Sequence, residues 1–181
     1  MSNIKSVKEL RADIMNGNRP VDTRHGVYTW WFKVDTAKTL LKPLGQTCDF
    51  ERIRKRIIDG KEYAALYFGI AGGKDGLSGR AKWHICQRHS KSSATSGYLS
   101  TLRQTLCALG DYDMSDPDGE TWVNRLMDGN CYWEWQYTDN AKAIESTELS
   151  TNYYPLNIHE NKCIDKAAIA ILSQLRKKHK K

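Results

Sequence analysis

The 181-residue chain has 40% hydrophobic and 27% charged residues, a composition typical of one folded domain that excludes a mainly disordered chain. Its formal net charge of +7 and pI of about 9.1 favour a polyanionic partner, either nucleic acid or an acidic membrane surface. No apolar run approaches the roughly 20 residues of a membrane helix. The N-terminal MSNIKSVKEL lacks the apolar stretch of a signal peptide. We therefore expect a soluble cytoplasmic protein.

The first predicted elements are a short helix and a strand. Ser6 and Glu9 form a possible capping box for a helix that ends near Met15. The β-branched and aromatic run VYTWWFKV, residues 27–34, predicts a strand. Residues 38–46 fit neither pattern clearly.

A second helix is predicted after this undecided stretch. Asp49 can serve as its N-cap, and Phe50, Ile53 and Ile57 share one helical face before the stop at Gly60. The segment between the first two predicted strands is therefore expected to be a helical insertion.

The middle of the chain predicts a buried strand followed by helices. The apolar run YAALYFGIA, residues 63–71, is typical of a central strand. Helices are predicted over residues 78–87 and 98–109, with a polar, basic loop between them at 90–97. An acidic loop at 110–119 and a short helix at 121–127 follow.

The last third of the chain predicts one strand and two helices. Residues 131–137, CYWEWQY, alternate between apolar and polar positions as in a half-buried strand. Asn140 can cap a helix over residues 141–151, and a final helix begins near Ile164. The terminal run RKKHKK reads as a frayed, solvated end that can add non-specific DNA affinity.

Three strands surrounded by helices predict one compact α/β (α+β) domain. We expect residues 1–25 to form an N-terminal helix and linker, and residues 161–181 a C-terminal helix and basic tail. The core is expected at residues 26–160, with insertions at about 35–61 and 88–128. The five cysteines include no CxxC pair, which argues against a zinc site and fits a reducing compartment.

The basic charge is concentrated in one stretch. Residues 76–110 contain no Asp or Glu, and an acidic run follows directly. We expect this stretch to form a positive face that binds the phosphates of nucleic acid. The residues expected to make these contacts are Lys82, Arg88, Lys91 and Arg103.

Five short motifs lie at the ends or exposed faces of the predicted elements. In chain order they are Gly26-Val-Tyr28, Tyr67-Phe-Gly69, Leu77-x-x-Arg80-x-x-x-His84, Ala141-x-x-Ile-Glu145 and Pro155-Leu-Asn157. This ordered set resembles the GIY-YIG nuclease superfamily. The resemblance implies a small, central, three-stranded, mostly antiparallel sheet. It departs from the common pattern in that Tyr28 and Tyr67 are 39 positions apart, where many members have a short hairpin turn.

The resemblance implies a divalent-metal-dependent endonuclease that hydrolyses DNA phosphodiester bonds. Its catalytic residues would be Tyr28, Tyr67, Arg80, His84 and Glu145. The chemistry fits these residue types. Glu145 can hold Mg²⁺ or Mn²⁺, Arg80 can donate two hydrogen bonds to a phosphate, and His84 can position the phosphate or relay a proton. The resemblance assigns proton abstraction from water to Tyr28, whose pKa a nearby metal and arginine would lower.

Three further residues are expected to support the site rather than react. Gly26 and Gly69 complete the two tripeptides, and Asn157 is expected to brace the helix that carries Glu145. Glu148 lies one turn from Glu145, and a shift in register would exchange the two carboxylates. The spacing to Asn157 favours Glu145.

Two other functions remain open from the sequence. One is a catalytically silent nucleic-acid-binding module of the same fold, and the other is an RNA-directed nuclease. A restriction, repair or mobile-element role is equally compatible with the residues. One active site cuts one strand, so a double-strand cut would need a homodimer or two binding events.

Overall fold

The computed structural model describes residues 3–181, which form five strands and eight α-helices. The strands are β1 (Asn3–Ser6), β2 (Gly26–Lys33), β3 (Lys55–Ile58), β4 (Lys61–Ala71) and β5 (Cys131–Tyr137). The helices are α1 (Val7–Met15), α2 (Val34–Leu41), α3 (Gly76–Cys86), α4 (Lys91–Thr95), α5 (Thr101–Leu109), α6 (Pro117–Asn130), α7 (Ala141–Thr151) and α8 (Lys166–Lys178). Two 3₁₀ turns cover Lys42–Thr47 and Phe50–Arg52. Within residues 3–181, no helix combines the length and apolar character needed to cross a membrane.

The strands form one sheet in the order β1-β5-β2-β4-β3, and each neighbouring pair is antiparallel. The predicted mixed fold and antiparallel pairing are confirmed. The predicted number of strands is wrong, because the sheet has five strands in the described part of the chain. The two missed strands, β1 and β3, have four residues each and lie at the sheet edges. Segments this short show little of the two-residue periodicity by which strands are recognised.

The helix predicted from Asp49 to Gly60 is wrong. Asp49 caps only the short 3₁₀ turn, and the chain then enters β3 and forms a hairpin with β4. Asp59 and Gly60, with φ values of 47° and 73°, form the two-residue connection. Asp-Gly between two strands is a strong hairpin signal. The error arose because Phe50, Ile53 and Ile57 have helical spacing in the sequence. In the structure Ile57 is 65% exposed and lies on no apolar helix face.

Several predicted helices are confirmed. Ser6 and Glu9 make both hydrogen bonds of the capping box that starts α1. Helix α7 has the predicted bounds. Helix α6 is longer than expected because Asp116 caps it and Pro117 occupies its first turn. The predicted basic loop contains the short helix α4.

The sheet is buried on both faces at β2, whose successive side chains alternate between the two faces. Tyr28, Trp30 and Phe32 lie on one face and belong to the larger hydrophobic cluster, which includes residues of α3, α5 and α8. Val27 and Trp31 lie on the other face, in the cluster that includes residues of α7. Consequently, side chains of β2 reach helices on two sides.

The C-terminal tail is not frayed as predicted. Helix α8 continues to Lys178, and His179 is buried. The carbonyl oxygen of His179 accepts a hydrogen bond from Met114 N at 2.9 Å, and Lys178 Nζ lies 2.9 Å from an Asp111 carboxylate oxygen. The acidic loop before α6 therefore fixes the tail and neutralises part of its charge.

Candidate active site

Tyr28 and Tyr67 lie side by side on β2 and β4. Their ring centroids are 6.4 Å apart, and the rings are stacked with an angle of 27° between their planes. Gly69 is opposite Tyr28 in the ladder. A Cβ atom at Gly69 would lie 2.5 Å from the Tyr28 hydroxyl oxygen. The glycine of the second tripeptide is therefore required because the Tyr28 ring lies directly against it.

The first tripeptide fixes α3 in the same way. A Cβ atom at Gly26 would lie 2.5 Å from the Leu77 Cδ1 atom and 2.2 Å from the backbone oxygen of Gln136. Leu77 is fully buried at the start of α3. This close approach sets the helix against β2 and β5, and it brings Arg80 and His84 to the tyrosine pair.

His84 connects Tyr28 to a residue that the sequence did not indicate. His84 Nε2 lies 2.8 Å from the Tyr28 hydroxyl, and His84 Nδ1 lies 2.6 Å from Ser100 Oγ. Both His84 and Ser100 are buried. Ser100 is also the N-cap of α5. The sequence allows Ser100 to be predicted as a helix cap, but it contains no signal for the hydrogen bond with His84.

Burial controls the charge of this chain of hydrogen bonds. Burial, with the nearby Arg80 and Arg103, lowers the pKa of His84 to about 3, so the imidazole is neutral at neutral pH. Burial raises the pKa of Tyr28 well above its usual value, and Arg80 offsets this only in part. In the protein without a metal, Tyr28 is therefore a neutral phenol, and the lowering of its pKa by a bound metal stays a prediction.

Glu145 on α7 reaches the same region. Burial raises the pKa of its carboxyl group, the neighbouring Glu160 raises it further, and Arg80 lowers it. Arg80 and Glu145 also act electrostatically on both tyrosine hydroxyls. The structure thus brings together the five residues proposed to be catalytic, although they are spread over more than a hundred positions.

Glu148 is turned to different partners. One of its carboxylate oxygens accepts hydrogen bonds from the Tyr154 hydroxyl at 2.5 Å and from Asn152 Nδ2 at 3.0 Å. Arg54 lies 3.9 Å from the same carboxylate. Glu148 therefore has a structural role, and Glu145 is the carboxylate whose pKa the Arg80 charge lowers.

Two charged residues near the site were missed by the sequence interpretation. Glu160 adds a second carboxylate beside Glu145. Arg176 on α8 acts electrostatically on Tyr67, and its Nη2 donates a 2.6 Å hydrogen bond to Gln104 Oε1. No sequence motif indicates either residue. Both come close to the site only because the chain after α7 folds back toward it.

Asn157 braces a strand rather than the glutamate helix. Its Oδ1 accepts a hydrogen bond from Phe68 N at 2.8 Å, and its Nδ2 donates one to Phe68 O at 2.7 Å. This part of β4 extends beyond the register of β3, so these backbone groups need another partner. The amide of Asn157 supplies it and fixes the strand next to Tyr67. The predicted support of α7 by Asn157 is therefore corrected.

The four predicted phosphate-binding residues divide into two groups. Lys82, Arg88 and Lys91 are exposed. Arg103 is fully buried, and its guanidinium donates to the backbone oxygens of His84 at 3.0 Å and Ile85 at 3.2 Å. Further Arg103 hydrogen bonds go to His89 and Asn124. The prediction for Arg103 is corrected, because this side chain holds the end of α3 from inside the protein.

Comparison with known proteins identifies the family. A family model described as the GIY-YIG catalytic domain matches residues 26–178, which is most of the chain. The chain belongs to the GIY-YIG nuclease superfamily. The GIY-YIG match includes both tripeptides, Arg80, Glu145 and helix α8. No curated protein and no solved structure matches the chain.

Proposed function

We propose that this GIY-YIG protein is a divalent-metal-dependent endonuclease that hydrolyses DNA phosphodiester bonds. The observation that carries the proposal is the hydrogen-bonded chain from Tyr28 through His84 to Ser100, with Arg80 and Glu145 beside the tyrosines. This arrangement offers a proton acceptor, a cation and a metal-binding carboxylate in one place. Metal-dependent phosphodiester hydrolysis uses these three functions.

The acidic residues fit a weakly ligated Mg²⁺ or Mn²⁺ ion. Residues 3–181 contain no group of three or more His, Cys, Asp and Glu side chains suited to a metal, but Mg²⁺ commonly binds through one or two carboxylates and keeps several waters. Burial and Glu160 both oppose the charge of Glu145, and a bound cation would relieve that cost. Glu145, with Glu160 nearby, would hold the ion. When bound, the metal supplies positive charge to the scissile phosphate and lowers the pKa of coordinated water.

Because the pKa of Tyr28 is raised, Tyr28 is better suited to pass a proton on during the reaction than to act as a phenolate that is already deprotonated. The Tyr28 oxygen would take a proton from the attacking water as its own proton passes to His84 Nε2. His84 accepts it with substrate bound, because the phosphate charge offsets the Arg80 cation that helps to lower the His84 pKa. The water oxygen forms a bond to phosphorus, the bond from phosphorus to the leaving oxygen breaks, and the leaving oxygen takes a proton from solvent. After product leaves, His84 returns its proton through Tyr28 to solvent. In this proposal His84 carries its proton on Nδ1 and donates it to Ser100 Oγ, 2.6 Å away, which leaves Nε2 unprotonated and able to receive the proton.

Arg80 stabilises the charge that develops on the phosphate. Its guanidinium lies over the Trp83 ring, with Cζ 4.6 Å from the ring centroid, which limits the orientations of this flexible side chain. A planar guanidinium can donate two parallel hydrogen bonds to phosphate oxygens. The exposed Lys82, Arg88 and Lys91 supply further positive charge for the DNA backbone.

Cleavage assays with the purified protein test this function. Supercoiled plasmid DNA and a structured RNA are incubated with Mg²⁺, with Mn²⁺ and with a chelator. We expect metal-dependent nicking of the plasmid before linear product accumulates, since one site cuts one strand. Cleavage of RNA alone would support the RNA-directed nuclease. DNA binding without cleavage of either substrate would support the silent binding module.

A further inference from the structure

A groove of about 770 Å³ lies along α3, on the side that carries Ser78, Lys82 and Cys86. Its walls come from the loop after α1, from α3, and from the segment before α5. The charged residues that line it are Arg19, Lys74, Lys82 and Asp75, so cations are in excess. The groove therefore suits an extended polyanion better than a neutral ligand.

Trp83 lies between the groove and the proposed site. This residue lines the groove, and the Arg80 guanidinium lies over its ring, with Cζ 4.6 Å from the ring centroid. None of the five proposed catalytic residues lines the groove itself. A strand held at its phosphate by Arg80 would therefore enter the groove by passing over Trp83.

Tyr98 presents an aromatic ring at the edge of the groove. Its side chain is 70% exposed, whereas Leu99 and Ser100, which follow it, are fully buried. The Tyr98 carbonyl oxygen accepts hydrogen bonds from Trp83 Nε1 at 3.1 Å and Gln87 Nε2 at 2.9 Å. The exposed ring is thus held on a fixed backbone rather than on a frayed loop.

We propose that this groove binds an unpaired nucleic-acid strand that continues from the scissile phosphate, with one base stacked on Tyr98. Cations along the wall contact the phosphates, and the aromatic ring contacts the base. Every base has a flat apolar face, so stacking of this kind requires a free base but no particular sequence. In a regular duplex both faces of each base are already covered by neighbours. The proposal rests on the proposed function, because it defines the substrate of that site as a DNA with an unpaired segment at the cut.

Fluorescence anisotropy with labelled DNA, in the presence of a chelator to prevent cutting, tests the groove. We compare a forked duplex that has unpaired arms with a fully paired duplex of the same core sequence. Wild-type protein should bind the fork more tightly. Tyr98→Ala should lose about tenfold in affinity for the fork, the size expected for one stacked base, and little for the paired duplex. Tyr98→Phe should retain wild-type binding.

Two controls make the result specific. Ile57→Ala removes an equally prominent exposed apolar side chain on β3 and should leave both affinities unchanged. Binding of an RNA fork of the same sequence shows whether the protein prefers DNA or RNA. A loss of affinity in Tyr98→Ala with either nucleic acid supports binding of an unpaired strand in the groove. Equal binding of fork and duplex by the wild type, or wild-type binding of the fork by Tyr98→Ala, would overturn the proposal. Neither outcome affects metal-dependent cleavage, so failure of the groove and failure of the nuclease function are distinguishable.

Discussion

Replacing Ser100 with alanine tests whether the hydrogen-bonded chain behind Tyr28 takes part in the reaction. The change removes the partner of His84 Nδ1, at 2.6 Å, in a position with no solvent access. A buried donor without a partner costs about 1–3 kcal/mol. The imidazole can avoid this cost by moving its proton to Nε2, where it would donate to Tyr28 and could no longer accept the tyrosine proton.

General base catalysis contributes roughly 10²- to 10⁴-fold to enzymatic rates. Because Ser100→Ala impairs the base without removing it, we expect kcat to fall on the order of a hundredfold, near the lower limit of that range. KM should change little, since Ser100 lies behind His84 and does not face the substrate. Single-turnover cleavage of a defined DNA, measured over a range of protein concentrations, separates the two quantities.

Stability must be measured alongside activity, because Ser100 also caps α5. Losing an N-cap typically costs about 1 kcal/mol, so Ser100→Ala should melt a few degrees lower. Ser100→Thr retains a hydroxyl group for both roles and should recover most of the rate. A Ser100→Ala variant with wild-type kcat would refute the relay, as would a Ser100→Thr variant that folds normally and is as slow as Ser100→Ala.

Three further predictions follow from burial and charge. Arg103→Leu should lower the free energy of unfolding by about 3 kcal/mol in urea titrations, because several buried backbone and side-chain acceptors lose their donor; an unchanged midpoint would contradict this role. Replacing Lys82 and Lys91 with glutamine should reduce the salt dependence of DNA binding by about two units of slope, whereas Lys178→Gln, whose cation is paired with a carboxylate, should have a smaller effect. Because the pKa of His84 is about 3 in the folded protein, against an ordinary histidine pKa of 6.5, the unfolded chain binds more protons between these values. Stability should therefore fall as pH drops below about 6.5, by up to about 1.4 kcal/mol per pH unit from this residue. Burial also lowers the pKa of His89 to about 3, so His84→Gln should remove about half of this pH dependence of the free energy of unfolding, measured by urea titration.

The sequence predicted the parts of the fold that depend on local signals. The Ser6 and Glu9 capping box starts α1, and the alternation in residues 131–137 gives β5. The motif residues were recognisable because each lies on an element with a clear pattern. Their convergence depends on glycines at two close approaches, Gly26 against Leu77 and Gly69 against Tyr28.

The failures have a common physical cause, which is that partners distant in the chain decide the outcome. A single arginine in a basic stretch looks like a surface cation, yet Arg103 is buried because backbone oxygens at the end of α3 need a donor. Ser100 and Asn157 likewise acquire their roles from groups far away in sequence. The hairpin at Asp59 and Gly60 is different, because the Asp-Gly turn signal is present in the sequence. The helical prediction relied instead on the chance spacing of Phe50, Ile53 and Ile57.

Cleavage of plasmid DNA by Glu145→Gln and Glu148→Gln, side by side in Mg²⁺, tests the central claim most directly. Both changes replace a carboxylate on α7 with an amide of nearly the same shape, and Glu145 is the one whose charge acts on both tyrosines. We expect Glu145→Gln to lose on the order of a thousandfold in rate, because the carboxylate proposed to hold the metal is gone. DNA binding should persist or strengthen. Glu148→Gln should keep most of its activity, since its partners are Tyr154 and Asn152. Wild-type cleavage by Glu145→Gln, or an inactive but folded Glu148→Gln, would contradict the account.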